Sequence, residues 1–89
     1  MNLTIRRATS TDEFAVRRLA ALDSSSPPTG EVILAEMDEE LWAALSLDTG
    51  VAIADPFRPS AELVELLRVR AGESRGRGRA LAHLLPRAA

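Results

Sequence analysis

The chain carries few side chains of the kinds that catalyse reactions or bind metals. Its 89 residues include one histidine, His83, and no cysteine or lysine. Thiolate zinc sites, cysteine nucleophiles and Schiff-base lysines are therefore excluded. His83 has no second histidine with which to share a metal, so we interpret it as a partly exposed helix residue. The acidic run at 36–40 lacks the spacing and the glycine of a calcium loop, which favours a solvated turn and no metal site.

Arginine supplies all 11 basic residues, and these are unevenly distributed. Residues 1–65 hold 5 arginines and 12 carboxylates, whereas residues 66–89 hold 6 arginines and one carboxylate. The result is an acidic body and a basic tail within a chain of net charge −2. The repeated Arg-Gly pattern at 75–79 is typical of weak, salt-sensitive contact with an anion or a nucleic acid. A dedicated nucleic-acid-binding domain is usually basic as a whole.

Hydrophobic periodicity predicts the elements that position these side chains. We expect a strand at 3–8, a helix that follows a cap at Ser10 and runs to about Asp23, and three strands at 31–37, 41–47 and 51–54. A second helix is predicted at 61–71, ending at Gly72. The order is β-α-β-β-β-α. It predicts an α+β fold with a four-stranded antiparallel sheet, two helices packed on it and a mobile basic C-terminal tail. We expect one domain at 1–72 and a flexible tail at 73–89, with a possible short helix at 80–85.

Several local details follow from the same patterns. Ser10 and Glu13 have the spacing of a capping box. Ala15, Leu19 and Leu22 are predicted to form the buried face of the first helix. In the strand at 41–47, alternation places Trp42 on the opposite side from Leu41, Ala43 and Leu45, either under a helix or at an interface.

The segments 3–23 (LTIRRATSTDEFAVRRLAALD) and 31–57 (EVILAEMDEELWAALSLDTGVAIADPF) resemble the opening strand, first helix and next three strands of the GNAT family of N-acetyltransferases. The resemblance covers residues 2–57 and implies the N-terminal half of that fold. It also places Asp55, at the end of the fourth strand, near a position where family members often carry catalytic groups. Because Asp55 directly precedes Pro56, we expect it to cap a turn, and we retain it only as a weak catalytic candidate.

GNAT enzymes bind the pyrophosphate of acetyl-coenzyme A with the pattern Gln/Arg-x-x-Gly-x-Gly/Ala at the start of the helix after the fourth strand. Glycines let the backbone approach the phosphates there, and the helix N-terminus adds partial positive charge. The resemblance assigns this role to Arg58, Ser60 and Ala61, although Ala61 replaces a glycine and Glu62 adds negative charge. A second match to the pattern, at Arg75, Gly76 and Gly78, follows a helix where the family has a strand.

These observations favour a truncated, N-acetyltransferase-like domain that is not catalytic. We expect it to act as a homodimer or protein-interaction module through the edge strand 51–54 or the helix 61–71, with no bound cofactor. One alternative is an acyl-coenzyme A-dependent N-acetyltransferase that completes its site by dimerisation. Another is anion or nucleic-acid binding by the tail. With no apolar run long enough to span a membrane and no secretory h-region, we expect a cytoplasmic protein without membrane contact.

Overall fold

The computed structural model describes residues 2–84, and side chains are described for residues 2–72. The elements are β1 (Leu3–Arg7), a 3-10 turn (Ser10–Asp12), α1 (Glu13–Leu22), β2 (Val32–Met37), β3 (Glu40–Ser46), β4 (Ala52–Ala54) and α2 (Ala61–Leu84). All neighbouring strands are antiparallel, in the order β1-β2-β3-β4. The predicted α+β fold is confirmed. Within the described part of the chain, neither helix is long and apolar enough to cross a membrane.

The sheet lies between the two helices. Helix α1 packs over β3 and β4 on one face, and α2 packs over β2, β3 and β4 on the other. The α1-side core consists of Val16, Leu19, Ala20, Val32, Leu34, Ala44 and Ile53. The α2-side core consists of Ile33, Ala35, Ala43, Leu45, Leu63, Leu67 and Ala71. Because successive side chains of a strand point to opposite faces, a strand covered by helices on both sides needs a continuous apolar run, as the start of β2 has.

The buried face of α1 differs from the prediction. Val16, Leu19 and Ala20 face the core, whereas Ala15 is exposed and Leu22 is 40% exposed. Both sets have the spacing of a helix face, so periodicity alone does not choose between them, and the packing against the sheet selects Val16, Leu19 and Ala20.

The predicted capping box between Ser10 and Glu13 is also wrong. The chain instead places Thr9 before the 3-10 turn, and the Thr9 amide donates to Oδ2 of Asp12 at 2.7 Å. The capping box is therefore formed by Thr9 and Asp12, one residue earlier than predicted. The carboxylate of Glu13 instead accepts a hydrogen bond from Arg17, one turn further along the helix. The shift follows from the 3-10 turn that precedes α1.

A β-bulge changes the alternation of β3. Ala35 pairs with Ala43, but the next residue, Glu36, pairs with Leu41, which leaves Trp42 as the extra residue. Leu41 therefore packs against the α1-side core, and Trp42 contacts the α2-side core together with Ala43. The strict alternation predicted for this strand was wrong because a bulge reverses the side-chain direction of the residues beyond it.

Helix α2 does not end at Gly72 but continues to Leu84. Gly72 does not adopt the left-handed conformation of a helix C-cap. A glycine inside a helix costs only about 1 kcal/mol relative to alanine, and proline, the residue that stops a helix more strongly, occurs next at Pro86. The expected short helix at 80–85 thus falls within α2 as far as Leu84. The mobility expected for residues 73–89 stays a prediction.

Candidate functional site

A groove beside Trp42 brings together three residues that the sequence singled out: Trp42, Asp55 and Arg58. Its volume is about 280 Å³. The groove lies between α1, the start of β3 and the turn that follows β4, and we call it the Trp42 groove. Its lining consists of Phe14, Ala15, Arg18, Leu19, Leu22, Glu40, Leu41, Trp42, Asp55 and Arg58.

The guanidinium of Arg58 is held on one wall of this groove. Its Nη2 lies 2.9 Å from Oε2 of Glu40, and its Cζ lies 5.4 Å from the centre of the Trp42 ring. The indole Nε1 of Trp42 donates to the same Glu40 oxygen at 3.4 Å. An arginine that has a carboxylate partner and an aromatic face has its charge satisfied locally. A phosphate at Arg58 would be repelled by the carboxylate of Glu40 beside it.

The hydrogen bonds of the Asp55 and Ser60 side chains stay within the turn between β4 and α2 and do not extend into the groove. Oδ1 of Asp55 accepts the amide of Phe57 at 2.8 Å, which is the turn-capping role that the sequence predicts. Ser60, which is 5% exposed, donates its hydroxyl to the carbonyl of Asp55 at 2.9 Å. The Ser60 carbonyl accepts the amide of Val64 and so begins α2. The turn before α2 is thus closed by its own side chains.

The first turn of α2 is the position at which the resemblance places a pyrophosphate. Ala61 is exposed there, and Glu62 places a carboxylate in the same turn. A carboxylate at this end satisfies the partial positive charge of the helix, and it repels a second anion. Arg58, Ser60 and Ala61 lie together in the turn and at the start of α2, where Arg58 is ion-paired with Glu40 and the Ser60 hydroxyl donates to the carbonyl of Asp55.

The second predicted phosphate segment lies inside α2. The backbone of Arg75, Gly76 and Gly78 is helical, because α2 runs to Leu84. Their side chains, and that of His83, lie outside the described residues. The contact of this segment with an anion stays a prediction.

A larger cavity of about 650 Å³ lies between the end of β1, the start of α1 and the loop before β2. Two ion pairs flank it: Arg7 with Glu31 at 3.5 Å, and Arg17 with Glu13 at 2.7 Å. Both pairs are mostly exposed, so each contributes little to stability. The sequence did not predict this cavity, because its walls come from separate segments that only the fold brings together.

Arg6 organises a more buried network next to this cavity. It donates twice to Asp12, at 2.9 and 2.7 Å, and once to Glu36, at 2.6 Å. The Arg6 hydrogen bond, followed by the amide of Thr9, holds the pKa of Asp12 well below its usual range. The bond to Asp12 likewise raises the pKa of Arg6. A carboxylate fixed in its charged form is a structural group and a poor general base at neutral pH.

The two surfaces expected to bind a partner are partly occupied. At the β4 edge, the amide of Ala54 donates to Oδ2 of Asp23 at 3.2 Å, and the carbonyl of Gly50 accepts from Arg68 at 3.0 Å. On helix 61–71, the apolar stripe of Leu63, Leu67 and Ala71 is buried against the sheet. The sequence missed Asp23 because no local pattern links it to a strand 31 residues later.

The described residues contain no group of three or more histidines, cysteines and carboxylates that could hold a metal ion. Comparisons of the chain with protein-family models, with curated proteins and with solved structures found no match in any of the three.

Proposed function

We propose that this chain is a non-catalytic, acetyltransferase-like domain that acts by forming a homodimer. The main support for a non-catalytic role is the arrangement of charged and polar groups at the start of α2. Phosphate binding at a helix start uses the backbone amides and the partial positive charge of the first turn. Here Glu62 places a negative charge in that turn, Arg58 is paired with Glu40 at 2.9 Å, and the Ser60 hydroxyl donates to the carbonyl of Asp55.

The open edges of the sheet support self-association. A four-stranded sheet in the order β1-β2-β3-β4 has β1 and β4 at its borders. An exposed apolar side chain lies at each border: Leu3 in β1 is 41% exposed, and Val51, immediately before β4, is 51% exposed. Edge strands with unpaired backbone groups readily pair with another chain. A domain of this size also has a modest core, and a second copy adds buried surface to it.

Two measurements on the full chain test this function. Sedimentation equilibrium should show a mass that rises with concentration from one chain to two. Calorimetric titration with acetyl-coenzyme A up to millimolar concentrations should give no saturable heat. A strictly monomeric chain contradicts the dimer.

Saturable heat would favour the acyltransferase alternative. In that case Arg58→Ala should abolish the heat, because Arg58 is the one cation of the predicted phosphate site whose side chain the structure describes. The matched control is Arg18→Ala, which removes another arginine that lines the Trp42 groove. Heat that survives Arg58→Ala would place the coenzyme elsewhere on the chain.

A further inference from the structure

We propose that two copies of this chain pair through β1, antiparallel and centred on Ile5, to form one continuous eight-stranded sheet. This inference rests on the proposed function and names the surface that carries it. The strand β1 spans Leu3–Arg7, so Ile5 is its central residue. A two-fold axis at Ile5 would pair the N-terminal half of β1 in one copy with the C-terminal half of β1 in the other.

The hydrogen bonds to β2 fix which backbone groups of β1 are free. Ala8 donates its amide to Val32 at 2.8 Å, and Asn2 accepts from the amide of Asp38 at 2.9 Å. In an antiparallel ladder, backbone groups alternate between the two sides of a strand. The even-numbered residues therefore bond to β2. The odd-numbered residues direct their amides and carbonyls away from the sheet; these are Leu3, Ile5 and Arg7.

These three outward positions are self-complementary. In the two-fold arrangement, Ile5 lies opposite Ile5 of the second copy, and Leu3 lies opposite Arg7 of the second copy. Every opposed pair is then a hydrogen-bonded pair that exchanges two backbone bonds. A shift by one residue would oppose groups that already bond to β2. A shift by two residues would keep outward groups opposed but would pair only two of the three outward positions of β1, so the arrangement centred on Ile5 is the one that uses all three.

The side chains of β1 are compatible with this arrangement. Leu3 is 41% exposed and Ile5 is half-buried, so pairing would cover apolar surface on the α2 side. On the other face, Arg6 is neutralised by Asp12 and Glu36 and so would not repel its counterpart across the axis.

One outward group of β1 is already engaged, since the carbonyl of Arg7 accepts from Nη1 of Arg6 at 3.2 Å. A carbonyl has a second lone pair for the interchain bond.

The other edge is less suited to pairing. Strand β4 has three residues, against five in β1. The amide of Ala54 is bonded to Asp23, and a second chain would have to displace that carboxylate. Short, covered edges are a common means by which proteins prevent edge-to-edge association. The structure therefore favours β1 over β4 as the dimer surface.

A single introduced cysteine tests the register, because the chain has no cysteine of its own. In Ile5→Cys, the two copies should form a disulfide under mild oxidation, since opposed Cα atoms in a hydrogen-bonded pair lie about 5.5 Å apart. Thr4→Cys is the matched control. Its counterpart would lie diagonally across the interface, at about 7–8 Å, too far for a disulfide. Equal crosslinking of both variants, or of neither, would overturn the register.

A lysine introduced at one sheet edge or the other tests which edge forms the dimer interface. Leu3→Lys would place a lysine opposite Arg7 of the second copy, twice per dimer, and should weaken dimerisation roughly tenfold or more by sedimentation equilibrium. Val51→Lys changes a similarly exposed residue at the β4 edge and should leave the dissociation constant unchanged. Circular dichroism checks that both variants fold. A dimer weakened by Val51→Lys alone, or by neither change, overturns this inference and leaves the homodimer standing, whereas a monomeric wild-type chain overturns both proposals.

Discussion

Replacing Asp12 by asparagine tests whether the Arg6 network stabilises the domain. Asp12 accepts two hydrogen bonds from the Arg6 guanidinium and one from the amide of Thr9. Its side chain is 12% exposed. Asparagine is nearly isosteric and retains one carbonyl oxygen for the Thr9 amide. The substitution therefore removes the charge and part of the bidentate contact while leaving the cap of the 3-10 turn in place.

The expected loss follows from the geometry. A hydrogen bond to a charged group contributes about 1.5–3 kcal/mol. Because Arg6 is 38% exposed, water compensates part of that loss, and Glu36 still neutralises the guanidinium. We expect the free energy of unfolding to fall by about 1–2 kcal/mol. For a domain of this size, that loss corresponds to a decrease of roughly 5–15 °C in the melting temperature.

The loss should depend on pH with a definite sign. The pKa of Asp12 is lowered in the folded chain, so its stabilising contribution is complete above the unfolded value of about 3.9 and disappears as the pH falls toward the folded value. Arg6 stays protonated in both states and adds no pH dependence over this range. Urea denaturation at pH 7, 5 and 3 should therefore show wild type and Asp12→Asn converging as the pH falls.

The adjacent residue provides the control. Glu13 forms an ion pair with Arg17 at the same distance, 2.7 Å, but both side chains are about two-thirds exposed. Glu13→Gln should cost at most about 0.5 kcal/mol. Equal losses in the two variants would show that burial does not strengthen the Arg6 pair. An unchanged difference between wild type and Asp12→Asn from pH 7 to pH 3 would refute the assigned ionisation.

Three further substitutions test the core and the turns. Leu67→Ala removes a fully buried side chain and should cost about 2–5 kcal/mol by urea denaturation, whereas Leu66→Ala, at a 43% exposed position, should cost well under half of that. Gly30→Ala should destabilise the domain more than Gly50→Ala in the same assay. The φ of Gly30 is +74°, and a Cβ there would push the Asp48 carboxylate away from the Glu31 amide, whereas Gly50, with φ of +77°, has open space and alanine there should cost about 1 kcal/mol. Ser46→Ala removes a fully buried hydroxyl that donates at 2.6 Å and accepts two amides, and should lower the free energy of unfolding by about 1–3 kcal/mol.

The element order could be predicted because each element has a local signal. The apolar run of β2, the turn residues around Gly50 and the prolines at 56 and 59 separate strands from helices without any knowledge of the fold. Element ends could be predicted less well. Gly72 has the right residue type for a helix end, yet α2 continues through it, because one glycine inside a helix costs only about 1 kcal/mol.

For the candidate site, the sequence could predict only that its residues lie close together. Arg58, Ser60 and Ala61 are adjacent in sequence, so their proximity required no tertiary structure. The side chains with which these residues form ion pairs and hydrogen bonds could be identified only from the tertiary structure. The ion pair between Arg58 and Glu40 spans 18 residues, and no local pattern specifies which carboxylate an arginine will reach.

The sequence alone determined the α+β class, the four strands and two helices, and the absence of cysteine and lysine chemistry. These depend on composition and on periodicity within each segment. Only the tertiary structure decided that Trp42 sits on a bulge, that Arg6 joins two carboxylates from separate elements, and that Asp23 covers the edge of β4. Each of these depends on contacts between residues far apart in the chain, which strand register and helix packing establish once the sheet has formed.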